Sequence, residues 1–289
     1  MEEILDNQST QDENTNQIEN INPPENNEET LANNTKKTKS KFFINSGLYS
    51  FLMIFGVVFL VSLYFFQVFM SPIKVVGKSM QPTINSMVVS DDDQDHCDIV
   101  YYRKKRSYTN DDIVIISNEN DKYVDSEDPE NPAKYLIKRV IACPGDEITF
   151  FVTNYEDNVY HYDISVKNKN GEQVSLTDTY LNEEMKFTES EYRANKFYYN
   201  TELKNKSYYQ TYIEIFSVLV ESTEINYTSY TLKISDNEYF VMGDNRNHSR
   251  DSRYFGTVST EYISGKVILQ VPYGQNIWQA LWTKLKEQL

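Results

Sequence analysis

Three parts of the chain differ in how apolar and polar residues alternate. In residues 1–41 the few aliphatic side chains are isolated among Asn, Gln, Glu, Asp and Thr, so no apolar face offsets the entropy lost on ordering the backbone. This pattern predicts a disordered tail. Residues 42–70 carry no charge, and 48–70 are nearly all apolar. Because a helix of this length crosses a bilayer and exceeds the apolar part of a signal peptide, we predict one transmembrane helix over 42–70.

Residues 71–289 follow a β pattern. Short runs rich in Val, Ile, Tyr, Phe and Thr are separated by turn sequences such as PGD, KNGE and GDNRN. The predicted strands are DIVYYR, DDIVIIS, YLIKRVIA, EITFFVT, QTYIEIFSVLV, SYTLKI, EYFVMG and GKVILQV. No long helical period occurs before the last residues. We expect a mostly β fold, with a β core over 71–150 and 236–274 and a β insertion over 151–235.

The last residues, 275–289, have a helical period. Their apolar side chains fall on one face of a helix, and they are Ile277, Trp278, Leu281, Trp282, Leu285 and Leu289. An amphipathic helix with two tryptophans and flanking lysines suits a membrane interface. Packing of the same face against its own domain explains the pattern equally well.

The charge of the chain limits its possible binding partners, and the distribution of that charge predicts its orientation in the membrane. The formal net charge is −15, which argues against a nucleic-acid partner because phosphates need a basic face. One dense basic cluster, KKTKSK, directly precedes the apolar run, whereas only Lys74 closely follows it. Positive residues favour the cytoplasmic side of a span. We therefore expect a single-pass plasma-membrane protein with a cytoplasmic N-terminus and an extracytoplasmic β domain.

Cysteine and histidine patterns indicate neither a disulfide framework nor a metal site. Cys97 and Cys143 lie on apolar, strand-like stretches, where small buried thiols are the simpler interpretation and a bridge between them is the alternative. His96, His161 and His248 lack metal-ligand spacing, and the sequence contains no HExxH, CxxC or Gly-rich phosphate motif. We expect no metal and no cofactor.

Ser79 is the first candidate for covalent chemistry. It lies in VVGKSMQPTI just beyond the apolar run, where a serine can act as a cap, a turn former or a nucleophile. A nucleophile needs a base, and Lys138 is embedded in the apolar run YLIKRVIA. Burial disfavours the ammonium, and a pKa lowered from ~10.4 to ~8 leaves roughly a quarter of the amine neutral near pH ~7.5. The alternative is a lysine whose amine reaches solvent.

A second serine–lysine pair carries less weight. Ser71 and Lys74 have the Ser-x-x-Lys spacing of penicillin-binding enzymes. That chemistry needs the serine at the start of a helix, together with a companion Lys-Thr-Gly motif that this chain lacks. We therefore treat the spacing as coincidence.

A dense polar loop supplies the third set of candidates. In YFVMGDNRNHSRDSRYFG, residues 239–256, carboxylates, arginines and serines are close enough in sequence to interlock. We expect ion pairs of Asp251 with Arg253, and of Asp244 with Arg246 or Arg253. Ser249 is placed to hydrogen-bond a nearby amine and fix its orientation.

Four motifs resemble, in order, those of a known enzyme family. After one N-terminal span, GKSMQPT, NDDIVII, YLIKRVIACPGD and GDNRNHSRDSRYFG are similar to the successive motifs of bacterial type I signal peptidases, in their Gram-positive single-span form. The resemblance covers roughly 75–272 and is poor over 152–235, a region that the family varies freely. It implies the signal-peptidase-type β fold outside the membrane. It also implies a serine endopeptidase that cleaves signal peptides from exported preproteins after small residues, in an Ala-x-Ala-like pattern.

The resemblance leaves two other functions open. One is a non-catalytic, membrane-anchored β domain that binds exported proteins, and the other is a paralogue dedicated to one substrate. The partners implied are signal-peptide-bearing preproteins and the lipid bilayer, with the secretion translocon as a further candidate.

The resemblance also assigns roles to residues. It implies that Ser79 is the nucleophile and Lys138 the general base, with Ser249 orienting the lysine. The other supporting residues are Asp251, Arg253, Asp244 and Arg246. The Ser79 N–H is one oxyanion donor; Gly77 stands where some members have a serine donor, so the second donor must be a backbone amide or water. The predicted substrate-binding residues are Val75, Val76, Met80, Pro82, Ile84, Leu136 and Ile137.

Two further expectations concern the backbone. An extended substrate should pair as a strand with residues 75–77 or 135–138. Asp111 stands where the family usually has glycine. If this position has a left-handed backbone, aspartate is among the least costly residues other than glycine.

Overall fold

The computed structural model describes residues 47–64, 71–90, 93–119, 123, 134–177, 181, 183–201, 210–221 and 228–288. The predicted tail over 1–41 lies outside these residues. The chain divides into two units, Met1–Leu63 and Tyr64–Leu289.

Helix α1, Gly47–Tyr64, coincides with the apolar run. Its 18 residues carry no charge and span roughly 27 Å, close to the ~30 Å hydrocarbon core of a bilayer. Among the described residues it is the one helix long and apolar enough to cross a membrane, judged by length and composition. The remainder of the predicted span, 42–46 and 65–70, lies outside the described residues.

The second unit is mostly β, as predicted. Its strands are β1 Ser71–Lys74, β2 Ile99–Arg103, β3 Ile113–Ser117, β4 Tyr135–Ala142, β5 Glu147–Glu156, β6 Val159–Lys167, β7 Met185–Thr188, β8 Ser229–Lys233, β9 Glu238–Met242, β10 Val258–Ser259 and β11 Ile263–Val271. Its helices are α2 Glu189–Thr201, α3 Gln210–Glu221, α4 Ser252–Phe255 and α5 Ile277–Glu287. Seven of the eight predicted strand sequences form strands.

Two antiparallel sheets build this unit. The larger has the strand order β1-β2-β11-β3-β4-β9-β10, and the smaller has the order β7-β6-β5-β8. β4 leads into β5 through the PGD turn, so the chain passes directly from one sheet to the other. Aromatic packing joins them, since the rings of Phe150 in β5 and Phe240 in β9 lie 5.8 Å apart. In the larger sheet β4 lies between β3 and β9, a position that brings β4 beside the polar loop that follows β9.

The prediction of a β insertion over 151–235 is wrong for two segments. QTYIEIFSVLV, predicted as a strand, forms α3, and α2 precedes it. The β-branched and aromatic composition favoured a strand, but burial follows the helical spacing i, i+3, i+4, i+7. The buried residues are Tyr212, Ile215, Phe216 and Leu219. They pack into the aromatic core of the smaller sheet, so tertiary packing selects the helix.

The predicted C-terminal helix forms, but its apolar residues do not share one environment. α5 begins with a capping box between Asn276 and Gln279. Ile277 and Leu281 pack with Ala280 against the end of β11, whereas the remaining apolar side chains face away from the domain. The helix places its described apolar side chains on one wide arc, of which one edge packs against the domain and the other, with Trp278, Trp282 and Leu285, is exposed. Leu289 lies outside the described residues.

The structure also tests the predictions for the two cysteines and for the Ser71–Lys74 spacing. Cys97 and Cys143 are both free thiols, as expected, and burial, with the Asp146 carboxylate nearby, raises the pKa of Cys143 to about 12. Ser71 and Lys74 lie in the strand β1 and not at the start of a helix. The Ser-x-x-Lys spacing therefore lacks the geometry that its chemistry requires.

Candidate active site

Ser79 and Lys138 are in hydrogen-bond contact. Lys138 Nζ donates to Ser79 Oγ over 2.9 Å. Lys138 lies within β4, opposite Val114 of β3, and only 4% of its surface is exposed. Ser79 lies in the turns that follow β1. The alternative of a lysine that reaches solvent is therefore excluded by its burial.

Burial changes the protonation of this lysine. Removal from water lowers the pKa of Lys138 to about 8, and the nearby Arg253 charge acts in the same direction. The carboxylates of Asp251 and Asp244 act oppositely and raise it. Lys138 forms no ion pair with the described residues, so its amine is held beside a neutral hydroxyl. A substantial fraction of the amine is consequently neutral at mildly alkaline pH.

A small cavity of about 140 Å³ opens beside these two side chains. Four of the predicted substrate-binding residues line it, together with residues that were not predicted. The lining residues are Ile73, Lys74, Val75, Val76, Ser79, Ile115, Tyr135, Leu136, Ile137 and Lys138. The cavity is open at one side and largely apolar, which suits small uncharged side chains.

Three of the predicted substrate-binding residues do not line this cavity. Met80 and Ile84 are fully buried in the cluster that packs beneath it, and Pro82 is exposed outside it. The prediction placed every apolar residue near Ser79 in the cavity wall. The turn instead directs Met80 and Ile84 inward, because they fill the core that supports β1 and β4.

Asn245 fixes the segment that carries Ser79. Its backbone N–H donates to Ser79 O over 3.0 Å, and its Nδ2 donates to Lys78 O over 3.2 Å. Sequence reasoning did not single out Asn245, although it lies within the GDNRN motif. The loop after β9 therefore positions the candidate nucleophile directly.

Asn85 fixes the same segment from the other side. Its Nδ2 donates to both Val75 O and Gly77 O, over 2.8 and 2.9 Å. Asn85 and Asp98 also exchange two hydrogen bonds between backbone N–H and side-chain oxygen, over 2.9 and 2.8 Å. Asn85 is fully buried and has a left-handed backbone, with φ 62°. No motif signalled this residue, because its partners are backbone carbonyls brought together only by folding.

Asp251 and Arg253 form the ion pair that was predicted. Arg253 Nε and Nη2 donate to the two carboxylate oxygens, each over 2.8 Å, and both residues are buried. Arg253 also donates to Arg246 O over 2.6 Å and to Tyr162 O–H over 2.7 Å. Burial opposes ionisation of Asp251, but the Arg253 charge and hydrogen bonds outweigh it and hold the pKa of Asp251 below its usual value.

The predicted pairing of Asp244 is wrong. Asp244 accepts from Arg139 Nε and Nη2 over 2.7 and 2.6 Å, and not from Arg246 or Arg253. Arg139 lies opposite Met242 at the end of β9, so the sheet register places Asp244 beside it. Arg246 is buried near Met185 instead. Proximity along the chain was a poor guide, because the pair joins β4 to the loop that follows the neighbouring strand β9.

Ser249 does not make the hydrogen bond that was expected. Its Oγ is buried and has no hydrogen-bond partner among the described residues, while Lys138 donates to Ser79. Gly243 lies directly between the two serine-bearing segments. A Cβ on Gly243 would overlap Ser249 Oγ and Ser79 O, and it would lie 2.6 Å from Ser249 Cβ. Only glycine permits this close approach, and sequence reasoning did not identify it.

Asp111 has the left-handed backbone considered above, with φ 66°. Its carbonyl accepts from Arg139 Nη1 over 3.0 Å. Its carboxylate accepts from Thr177 N and Oγ1, over 3.1 and 3.0 Å. The aspartate therefore connects the turn before β3 to the insertion, a contact that glycine has no side chain to make.

The chain is similar in sequence to known proteins. The family model described as signal peptidase, peptidase S26, matches residues 48–272. Signal peptidase I of Aquifex aeolicus is 31% identical over 150 residues, which cover 49% of this chain and 58% of that protein, less than two thirds of its length. Signal peptidase IB of Staphylococcus aureus is 24% identical over 202 residues, which cover 68% of this chain and 75% of that protein. The crystal structure of a signal peptidase I from Enterococcus faecalis is 21% identical, covers 57% of this chain and 99% of its own, and has a TM-score of 0.26.

Proposed function

The chain belongs to the family described as signal peptidase, peptidase S26, and we propose from this that it is a serine endopeptidase that removes N-terminal signal peptides from exported preproteins. One observation carries the proposal: a buried lysine amine lies 2.9 Å from a serine hydroxyl. We expect cleavage after small residues in an Ala-x-Ala-like pattern.

In the proposed reaction Ser79 is the nucleophile and Lys138 the general base. Neutral Lys138 takes the hydroxyl proton as Ser79 Oγ attacks the scissile carbonyl carbon. When the tetrahedral intermediate collapses, the carbon–nitrogen bond breaks and the Lys138 ammonium gives its proton to the leaving amine. Water then attacks the acyl ester, and Lys138 accepts the proton of that water. When this second intermediate collapses, the bond between the carbonyl carbon and Ser79 Oγ breaks, and Lys138 returns the proton to Ser79 Oγ. Both nucleophilic attacks, by Ser79 and by water, need the amine uncharged at the start, which its burial supports.

The remaining side chains of the site support this pair. The Ser79 N–H is the proposed oxyanion donor, and its position depends on Asn245 and Asn85, which hydrogen-bond the carbonyls around it. The Ser249 Oγ, buried and without a partner among the described residues, is available to accept a hydrogen bond from the Lys138 amine once Ser79 has been acylated. The two Arg–carboxylate pairs keep the loop after β9 in place.

The substrate is proposed to bind as an added strand. Residues 135–138 pair with β3 on one side, whereas β9 pairs with β4 only from Arg139 onwards. The other edge of 135–138 therefore has backbone groups that an extended peptide can hydrogen-bond. Small side chains of that peptide would enter the cavity lined by Val75, Leu136 and Ile137.

The proposed location is the plasma membrane. Helix α1 would span the bilayer with its N-terminus in the cytoplasm, because the KKTKSK cluster precedes it. The catalytic unit would then meet translocated preproteins on the outer side. Cysteine labelling of single-cysteine variants in intact cells tests this orientation, and labelling of residue 36 but not of residue 284 by a membrane-impermeant reagent would contradict it.

The decisive experiment uses the purified full chain in detergent micelles with a model preprotein. We expect one cleavage event, and N-terminal sequencing of the product should place it directly after an Ala-x-Ala-like segment. Ser79→Ala and Lys138→Met should each reduce the rate by at least about a thousandfold, because each removes a group that takes part in every step.

Matched variants separate the dyad from general damage. Ser86→Ala and Lys134→Met remove the same chemical groups at exposed positions, and both should cleave at the unmodified rate. Retained cleavage in either dyad variant would refute the roles proposed for that residue. A wild-type chain that binds the preprotein but never cleaves it would support the non-catalytic alternative instead.

A further inference from the structure

We propose that α5 lies on the bilayer surface, as a second membrane contact that is separate from the candidate span. This inference goes beyond the proposed function, because it concerns a surface with no role in cleavage. It rests on the outward face of α5, which consists of Trp278, Trp282 and Leu285. We call these three residues the α5 outer face.

The outer face is apolar, exposed and separate from the face that holds α5 to its domain. Trp278, Trp282 and Leu285 have the spacing i, i+4, i+7 and are 64%, 60% and 49% exposed. Ile277, Ala280 and Leu281 hold the helix to the end of β11. Because these inner residues already anchor α5, the outer side chains are not needed for its packing.

The composition of the outer face matches a membrane interface. Trp278 and Trp282 are the only tryptophans of the chain, and indole rings favour the boundary between headgroups and acyl chains. Lys286 flanks them, with its Nζ 5.5 Å from the centre of the Trp282 ring. A cation beside an indole is the arrangement of interfacial helices, where lysine reaches the phosphates and the ring enters the acyl region.

A lipid surface fits this face better than a second protein. From their exposed fractions, the three side chains offer roughly 400 Å² of surface, about half of the ~800 Å² that each partner of a stable complex usually buries. A bilayer sets no such minimum area, because a shallow apolar stripe gains free energy in proportion to what it buries. The bilayer that α1 is suited to cross would also hold the second unit close to lipid.

The two tryptophans make the test specific, since all tryptophan emission comes from α5. The full chain is reconstituted into phosphatidylcholine–phosphatidylglycerol vesicles and recovered by flotation. Phosphatidylcholine brominated near the top of its acyl chains should quench most of the emission, with a shift to shorter wavelength relative to micelles. Iodide added to the water should quench little. Trp278→Phe and Trp282→Phe, tested singly, should each leave one tryptophan that the brominated lipid quenches.

A displaced probe and a charged variant complete the design. In the Trp278→Phe/Trp282→Phe background, Phe197→Trp places a tryptophan at an exposed position of α2, and iodide alone should quench it. Leu285→Glu should weaken quenching by brominated lipid while cleavage of a peptide in micelles is unchanged.

Emission quenched by iodide and not by brominated lipid would overturn the proposal. Emission protected from both quenchers would also overturn it, because protein would then cover the outer face. Neither outcome depends on catalytic activity, so it does not bear on the proposed function.

Discussion

At the scale of single residues, the protonation of Lys138 determines the expected pH dependence. Its pKa is lowered to about 8, chiefly by burial. Because the proposed base must be neutral, kcat/KM for a peptide substrate should rise with pH through about 8. Below this value it should fall about tenfold per pH unit. Initial rates between about pH 6 and pH 10, in one detergent and at constant ionic strength, measure this. A rate independent of pH over that range would contradict a lysine base.

Gly243 gives a second prediction at this scale. Gly243→Ala should abolish most cleavage, because the added Cβ would overlap both Ser249 Oγ and Ser79 O. The neighbouring backbone must then shift, which moves Ser79 away from Lys138. We expect a loss of stability of about 1–3 kcal/mol, as is usual for overpacking, and a fall in kcat larger than this loss of stability explains. Thermal unfolding and kcat measured on the same preparation separate the two effects.

Gly265 supplies the matched control for this substitution. A Cβ at Gly265 would lie 2.6 Å from Arg103 C and 2.7 Å from Arg103 O, a similar degree of crowding between β11 and β2. Gly265→Ala should therefore lose stability while the folded fraction keeps its kcat. Equal losses of kcat in the two variants would show that Gly243 has no special relation to the serine segment.

The sequence was a good guide to some residues of the site and a poor guide to others. Ser79 and Lys138 stand in motifs that predict them as a pair, and their 2.9 Å contact is consistent with that prediction. Asn85 could not be found, because its role is to bind two carbonyls that are adjacent only after folding. The Asp244–Arg139 pair was missed for the same reason, since the strand register creates it.

At the scale of secondary-structure elements, α3 shows where the sequence was misleading. Leu219 is fully buried, whereas its neighbour Val218 is 40% exposed. Leu219→Ala should therefore lower the free energy of unfolding by about 2–4 kcal/mol, and Val218→Ala by less than about 1 kcal/mol. Denaturant unfolding of the full chain in micelles, followed by circular dichroism, measures both.

The same pair of variants distinguishes the helix from the strand that was predicted. In a strand Phe216 and Val218 would share a face, so Val218 would be buried with Phe216 and its truncation would be the costly one. A larger loss for Val218→Ala than for Leu219→Ala would contradict the helix. Composition alone could not decide, because Ile, Val, Phe and Tyr favour strands and also fill helices buried against a sheet.

Seven predicted strands formed because short runs rich in β-branched and aromatic residues are bounded by turn sequences. The runs before and after PGD became β4 and β5, which lie in different sheets, a separation that the sequence pattern did not specify. Strand order depends on long-range pairing, such as β11 between β2 and β3. Local periodicity carries no information about such partners. The elements were therefore predictable and their arrangement was not.

At the scale of the whole molecule, the site imposes a cost on folding. Arg139 and Arg253 are paired with buried carboxylates, so their charges are largely compensated. Lys138 is as deeply buried but forms no ion pair with the described residues. Where its amine is charged, the folded state must hold that charge without a carboxylate in contact with it.

Lys138→Met should therefore stabilise the folded protein at neutral pH. The unfolded chain has an ordinary lysine pKa of 10.5, whereas in the folded state the pKa is about 8. Below pH 8 both states bind the proton, so the folded state must hold the charged amine, at a cost of about 3 kcal/mol in stability. This is a large part of the free energy of unfolding of a typical protein, about 5–15 kcal/mol. Between pH 8 and 10.5 the unfolded chain alone binds the proton, so wild-type stability rises relative to the variant.

Thermal unfolding of both chains in one detergent at pH 7 and at pH 10 tests this expectation. At pH 7 the Lys138→Met variant should be more stable than wild type, even though it loses about 1 kcal/mol with the Ser79 hydrogen bond. This difference in stability should shrink at pH 10. Lys134→Met, at an exposed lysine, should change stability little at either pH. A Lys138→Met chain that is less stable at pH 7, or a difference that does not change with pH, would show that the lysine is not held in a dehydrated environment. The same dehydration makes the amine a usable base and makes the fold less stable, so activity and stability should change in opposite directions at this residue.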